Sequence, residues 1–231
     1  MMQLPAWWPS KTPHQIRDCL EGMKEIPSSV VGLILTDPPY GTAGLKKFRG
    51  KEERTIANDA NLDWLGDVAT EFYRIMKDDT WCAVFGQWRT FTQFYEVFDM
   101  VGFGLKTVGI WDKGVLGMGA GLSEEYEMIY FFKKGEARET AHRGNVFHVT
   151  RPMQTPEHPN IKPDELFIEL INLLSKKGDI VLDPYLGSGT TLLATRKTER
   201  IGLGFEIDKK YEETIKSRAL IDNTSLEAWG L

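Results

Sequence analysis

Apolar positions along this chain follow two alternating rhythms. Short continuous runs have the length and content of buried strands: Val30 to Thr36, Trp81 to Phe85, Leu105 to Trp111, Tyr126 to Phe132, Ile180 to Asp183 and Ile201 to Glu206. Between them apolar residues recur every three or four positions, the spacing of one helix face. Leu62, Leu65, Val68, Phe72, Ile75 and Met76 form one such series, and Phe91, Phe94, Tyr95, Phe98 and Val101 another. The stretches Asp164 to Ser175 and Tyr211 to Leu220 read as helices, and a short helix starts near Thr190. Strands alternating with helices predict an α/β fold with a mostly parallel sheet covered on both faces. In such sheets ligands bind outside the carboxyl ends of the strands.

The segments outside this rhythm are polar or glycine-rich. Residues 1–13, with Pro5, Pro9, Pro13 and the pair Trp7-Trp8, read as an irregular arm whose tryptophans pack on the domain. Lys46 to Asn58 reads as a mobile charged loop, Gly114 to Gly121 as a glycine-rich connection, and Gly135 to Pro159 as a weakly periodic stretch with several cationic groups. There is no internal repeat. A chain of 231 residues suits one domain, 1–231, with a short insertion at about 135–155.

Composition narrows the function classes. At 42% hydrophobic and 26% charged the chain is ordinary for a globular protein. No apolar run approaches the roughly 20 residues that span a bilayer, and the start lacks a signal-peptide pattern, so cytoplasm is the expected compartment. Cys19 and Cys82 suit reducing surroundings, and the scattered histidines lack metal-ligand spacing. A net charge of −5 counts against a role in coating DNA by bulk charge, but leaves room for a local basic cleft.

Two motifs stand at predicted strand ends. Asp183-Pro184-Tyr185-Leu186-Gly187-Ser188-Gly189-Thr190-Thr191 has glycines that permit a tight turn and close backbone approach to a ligand. Ser188, Thr190 or Thr191 can cap the helix that follows, and its free N–H groups can face a carboxylate. Roughly twenty positions beyond Gly187 comes Glu206, at the right distance to accept from ribose hydroxyls. No lysine follows the second glycine, which disfavours triphosphate, and GxGxxG is absent. Glycine and serine are also common in plain strand–turn–helix links; strand, loop, helix, strand and acid together favour a cofactor site. The other motif is Asp37-Pro38-Pro39-Tyr40. The exocyclic amino group of a base is a poor nucleophile, because its lone pair is delocalised into the ring. The Asp37 carboxylate and the Pro38 carbonyl can accept its hydrogens and draw the nitrogen toward tetrahedral geometry. Pro38 and Pro39 stiffen the backbone and remove competing donors, and Tyr40 offers a face for stacking. Alone, the segment could be a strand-ending turn.

Taken together and in this order, the motifs resemble the amino-group DNA methyltransferases of the beta group, specific for adenine N6 or cytosine N4, over roughly Ile16 to Leu220. The resemblance implies a Rossmann-like, three-layer methyltransferase fold with a mixed, mostly parallel seven-stranded sheet and a circularly permuted motif order. It implies S-adenosylmethionine (SAM) as cofactor and double-stranded DNA with base flipping as substrate, with no metal and no membrane. Asp37, Pro38, Pro39 and Tyr40 then form the catalytic segment. Asp18, Cys19, Lys162, Asp183, Tyr185, Gly187, Ser188, Gly189, Thr190, Thr191 and Glu206 line the cofactor pocket. Asp18 lies in the segment that approaches the cofactor adenine, and Lys162 in His158-Pro159-Asn160-Ile161-Lys162-Pro163, which helps wall the pocket. Glu124 to Gly135 is similar to the strand leading into the recognition region. Tyr185 stands where the family often has Phe. Asp before Pro-Pro-Tyr favours adenine N6 over cytosine N4. DNA contacts are expected from Lys46, Lys47, Arg49 and Arg54, and from Arg138 and Arg143 in the short recognition stretch, where surface charge is the plain alternative. That stretch is brief, so recognition is relaxed, limited, or dependent on a partner such as a second copy in a homodimer. An RNA substrate and a SAM-dependent DNA-binding module without turnover are the other readings. A restriction partner, a regulatory role and phage self-protection stay open.

Overall fold

The computed structural model describes residues 3–41, 62–115, 121–152 and 161–220. Among these residues eight strands are joined in one sheet: β1 (His14–Ile16), β2 (Val31–Thr36), β3 (Met76–Gly86), β4 (Gly104–Asp112), β5 (Tyr126–Lys134), β6 (Val146–His148), β7 (Ile180–Asp183) and β8 (Ile201–Glu206). Six α-helices among the described residues accompany them: α1 (Cys19–Met23), α2 (Leu65–Ile75), α3 (Phe91–Val101), α4 (Asp164–Leu174), α5 (Thr190–Lys197) and α6 (Glu212–Leu220). The spatial order is β1-β8-β7-β2-β3-β5-β4-β6. All neighbours pair in parallel except the two ladders of β5, which runs antiparallel to both β3 and β4.

The sheet thus has one strand more than the seven expected. β1 and β6 are three-residue strands at its two edges, too short to carry a period-two pattern. The five-residue α1 is short for the same reason; Asp18 starts it by accepting from the Glu21 N–H at 3.1 Å. One boundary differs by a residue with physical meaning. Met76 keeps the helical spacing of α2, yet its ψ of 141° is extended and it begins β3. The four polar residues after it hid the strand's first half.

β3 shows how the layers form. Cys82 and Val84 face one core with α1, α2 and α3, while Trp81, Ala83 and Phe85 face a second core with α4. Trp8 of the N-terminal arm is 5% exposed and packs on Phe205 with ring centroids 5.3 Å apart. Among the described residues no helix is long and apolar enough to cross a membrane, and no group of three or more His, Cys, Asp or Glu could hold a metal ion.

β2 continues through α2, on one face, to β3. β7 continues through α5 to β8 on the other side of β2. The chain therefore departs in opposite directions from the adjacent strands β2 and β7, and their carboxyl ends flank the crevice of a doubly wound sheet.

Candidate active site

Asp37 follows the last residue of β2 and Asp183 is the last residue of β7, strands paired through Leu33 with Val181 and Ile34 with Leu182. The two sequence motifs, about 145 positions apart, therefore stand side by side at the crevice. A buried clamp joins them. The Thr36 hydroxyl donates to Asp183 Oδ1 at 2.7 Å and the Thr191 hydroxyl to Oδ2 at 2.5 Å, while the Tyr185 N–H donates to Oδ1 at 3.1 Å. Asp183 is 3% exposed, and burial pushes its carboxyl up to about 6 against these donors. Both oxygens are occupied within the fold. Asp183 shapes the cofactor loop rather than offering it a free acceptor.

Beyond Asp183 the loop turns through Gly189, whose φ of 85° lies in the left-handed region that glycine adopts without strain. Gly189 is the N-cap of α5, and no side chain caps that helix: Thr190 and Thr191 point into the interior. The first-turn N–H groups are left to an acceptor from outside the helix. At the end of β8 the Glu206 carboxylate accepts from the N–H of Gly187 and of Asp208, each at 2.8 Å. It is nearly buried and its partners here are backbone groups. Burial raises its pKa despite these bonds. A buried acid over a glycine turn, beside an uncapped helix, fits a ligand that carries hydroxyls and a carboxylate. Ser188 is tied back instead, accepting from Arg218 at 3.1 Å, and Arg218 pairs with Asp164 at 2.5 Å. Tyr185 lies against Trp64, with centroids 5.5 Å apart, and meets the Cys19 thiol, which burial pushes up to about 12. Asp18 stands at the head of α1, beside this pair.

The other half of the site is a buried polar knot. The Tyr40 hydroxyl donates to Asp37 Oδ1 at 2.5 Å and lies 3.4 Å from Glu127 Oε2. The Lys162 ammonium is 2.8 Å from Asp37 Oδ2 and 2.6 Å from Glu127 Oε2. Lys113 lies 3.7 Å from the other Glu127 oxygen. Burial alone would lower the Lys162 pKa; the Asp37 and Glu127 carboxylates hold it above the ordinary lysine range. Burial alone would raise Glu127; the Lys162 ammonium keeps it below the ordinary carboxylate range. Burial, then Asp37 and Glu127, push Tyr40 well up, so its hydroxyl stays a neutral donor. Pro38 is buried and Pro39 half-buried, which fixes the turn between Asp37 and Tyr40.

Three candidate residues have surroundings that the sequence alone did not show. Lys162 meets Asp37 and Glu127. Arg143 is used internally: its guanidinium lies 3.8 Å from the Phe147 ring centroid, pairs with Glu169 at 3.1 Å and donates to the Val146 carbonyl. Arg138 is exposed at the opposite end of the sheet. Its neighbours show this: the Glu136 N–H bonds Asp79 near the start of β3, and the Thr140 N–H bonds the Leu173 carbonyl at the end of α4. Lys46, Lys47, Arg49 and Arg54 lie outside the described residues, as do His158, Pro159 and Asn160. Sequence reasoning missed Glu127, Lys113 and Thr36. The signal for Glu127 is a charged residue at the head of an aromatic strand, in Glu125-Tyr126-Glu127.

Residues 31–217 match the protein family described as DNA methylase, of N6/N4 type. The chain is 28% identical over 232 residues to the DNA adenine methyltransferase YhdJ of Escherichia coli (strain K12), covering 84% of this chain and 78% of that one. It is 26% identical over 230 residues to the type II methyltransferase M.HpaI of Haemophilus parainfluenzae, covering 87% of this chain and 72% of that one. Among solved structures it shares its fold with the PvuII DNA methyltransferase (cytosine-N4-specific), at a TM-score of 0.75 and 20% identity over 94% of this chain and 89% of that one.

Proposed function

The chain belongs to the DNA methylase family of N6/N4 type, and from that premise we propose that it transfers a methyl group from SAM to the exocyclic N6 of adenine in DNA. The observation that carries this reading is the Thr36–Asp183 clamp, which sets the Asp37–Tyr40 turn beside the glycine loop in one crevice. The cofactor supplies an electrophilic methyl on a sulfonium sulfur. Gly187, Gly189, the N-terminus of α5 and Glu206 would hold it. A flipped base would stack on Tyr40 and donate an amino hydrogen to Asp37 Oδ1. The methyl would pass from sulfur to the amino nitrogen with the S–CH3 electron pair left on sulfur, and Asp37 would accept the extra proton from nitrogen and release it to water. Most of the rate comes from holding nitrogen in line with the methyl carbon. Support for adenine is the aspartate at position 37 and the similarity to YhdJ. The N4-cytosine alternative is supported by the likeness to the PvuII enzyme.

Mass spectrometry of nucleosides tests this, using unmethylated bacterial DNA incubated with the protein and SAM. We expect N6-methyladenine to rise, and Asp37→Ala to lose the product while SAM binding stays within about threefold, since substitution removes a group that acts mainly in the transition state. N4-methylcytosine instead would move the reading to its rival. SAM binding with no methylated nucleoside would sink it in favour of a binding module or an RNA substrate.

A further inference from the structure

We infer that Lys162 is a positioning residue for transfer: anchored by Glu127, it holds Asp37 by one carboxylate oxygen and aims the other at the base. This rests on the methyl-transfer reading above. The three groups come from separate parts of the chain, Asp37 after β2, Glu127 at the head of β5 and Lys162 before α4. They converge within 2.8 Å. The Lys162 side chain is 11% exposed. Its ammonium lies 5.1 Å from the Phe85 ring centroid and 5.7 Å from that of Trp111, both rings buried. Such a group needs charged partners in place of water. Lys113, 3.7 Å from Glu127, adds a second cation, so two carboxylates face two ammonium groups and the knot is neutral.

The geometry divides Asp37 into two working sides. Oδ2 belongs to Lys162. Oδ1 is covered by the Tyr40 hydroxyl, and an arriving amino group needs that same oxygen. The hydroxyl has a second acceptor at hand, Glu127 Oε2 at 3.4 Å. Base arrival then passes the Tyr40 proton donor from Asp37 to Glu127 without leaving a buried hydroxyl unpaired. Glu127 serves twice, as the fixed post for Lys162 and as the acceptor for Tyr40. A lysine suits this place better than an arginine, because a compact ammonium can bridge two carboxylates at one point.

The test is steady-state methylation of DNA by the full chain, with SAM binding measured by calorimetry on the same samples. For Lys162→Met we expect kcat to fall at least about thirtyfold, with KM for DNA and Kd for SAM within about threefold, the signature of a group used in the transition state. Lys162→Arg should recover at least about fivefold of that loss, and Glu127→Gln should lower kcat about tenfold by the same route. A tenfold weaker Kd for SAM in Lys162→Met, with kcat at saturating SAM unchanged, would return Lys162 to the cofactor wall and overturn the inference. If Lys162→Met does not fold, Glu127→Gln decides, and full kcat in that variant overturns it. A wild type that methylates no base defeats the functional reading itself; an active wild type matched by Lys162→Met defeats this inference alone.

Discussion

Asp183 illustrates how much a single residue can be asked to do. Its family motif suggested contact with the cofactor, whereas the structure gives both of its oxygens to Thr36, Thr191 and the Tyr185 N–H. That arrangement has a measurable pH signature. The folded value near 6 exceeds the roughly 3.9 of an unfolded aspartate, so the unfolded chain releases this proton first as pH rises. Its contribution to stability is greatest below about pH 4 and declines through the window up to about pH 6. Asp183→Asn removes the titration while the threonine hydroxyls turn to meet the amide. The unfolding free energy of wild type minus that of the variant should therefore fall between about pH 4 and 6, by on the order of 2 to 3 kcal/mol. Denaturant unfolding across that range checks it, and a difference that stays flat would mean the carboxyl is not held away from water. The types of the key residues were visible in the sequence, but their partners were not. Thr36 is an unremarked end of an apolar run, and nothing local says that it will lie 2.7 Å from a residue 147 positions away.

At the scale of elements, the cofactor loop depends on how closely α5 lies on β8. Gly202 is the point of contact: a Cβ there would come within 2.2 Å of the Thr195 hydroxyl oxygen. Gly202→Ala should push α5 outward, cost about 1 to 3 kcal/mol by overpacking, and weaken SAM binding, because α5 carries Gly189 and the uncapped first turn. Adding Thr195→Ala opens the space again. Calorimetric unfolding and SAM titration of the single and double variants should show the loss and most of its recovery, and equal damage in both would rule out the clash. The central elements were legible because their apolar rhythm is long: α3, β7 and β8 lie where the spacing put them. β1, α1 and β6 were not, since three to five residues are too few to show a period. Their existence is fixed by partners, as with β6, whose Val146 and Phe147 pair with Ile110 and Trp111.

Over the whole molecule, charge is placed by topology more than by composition. The cations counted for DNA in the recognition stretch are not grouped at the crevice. Arg143 is locked onto Phe147 and Glu169, and Arg138 sits at the far end. Arg143→Ala should then lower stability by about 1 to 2 kcal/mol while KM for DNA stays within about twofold, as measured by thermal unfolding beside steady-state kinetics. A large rise in KM with unchanged stability would restore its phosphate role. The cause lies in the direction of β5. Because that strand runs against its neighbours, its first residues reach the crevice and deliver Glu127, while its last, Lys134, leaves seven residues further on and about 24 Å away. Segments added to the exposed bend around 138–142 would thus emerge remote from Asp37, where new sequence can be spliced in without touching the chemistry. The same reversal makes that bend a docking port for engineering: a fused reader module could be attached there, and its tether would need to run the full height of the sheet to place a chosen site over the crevice.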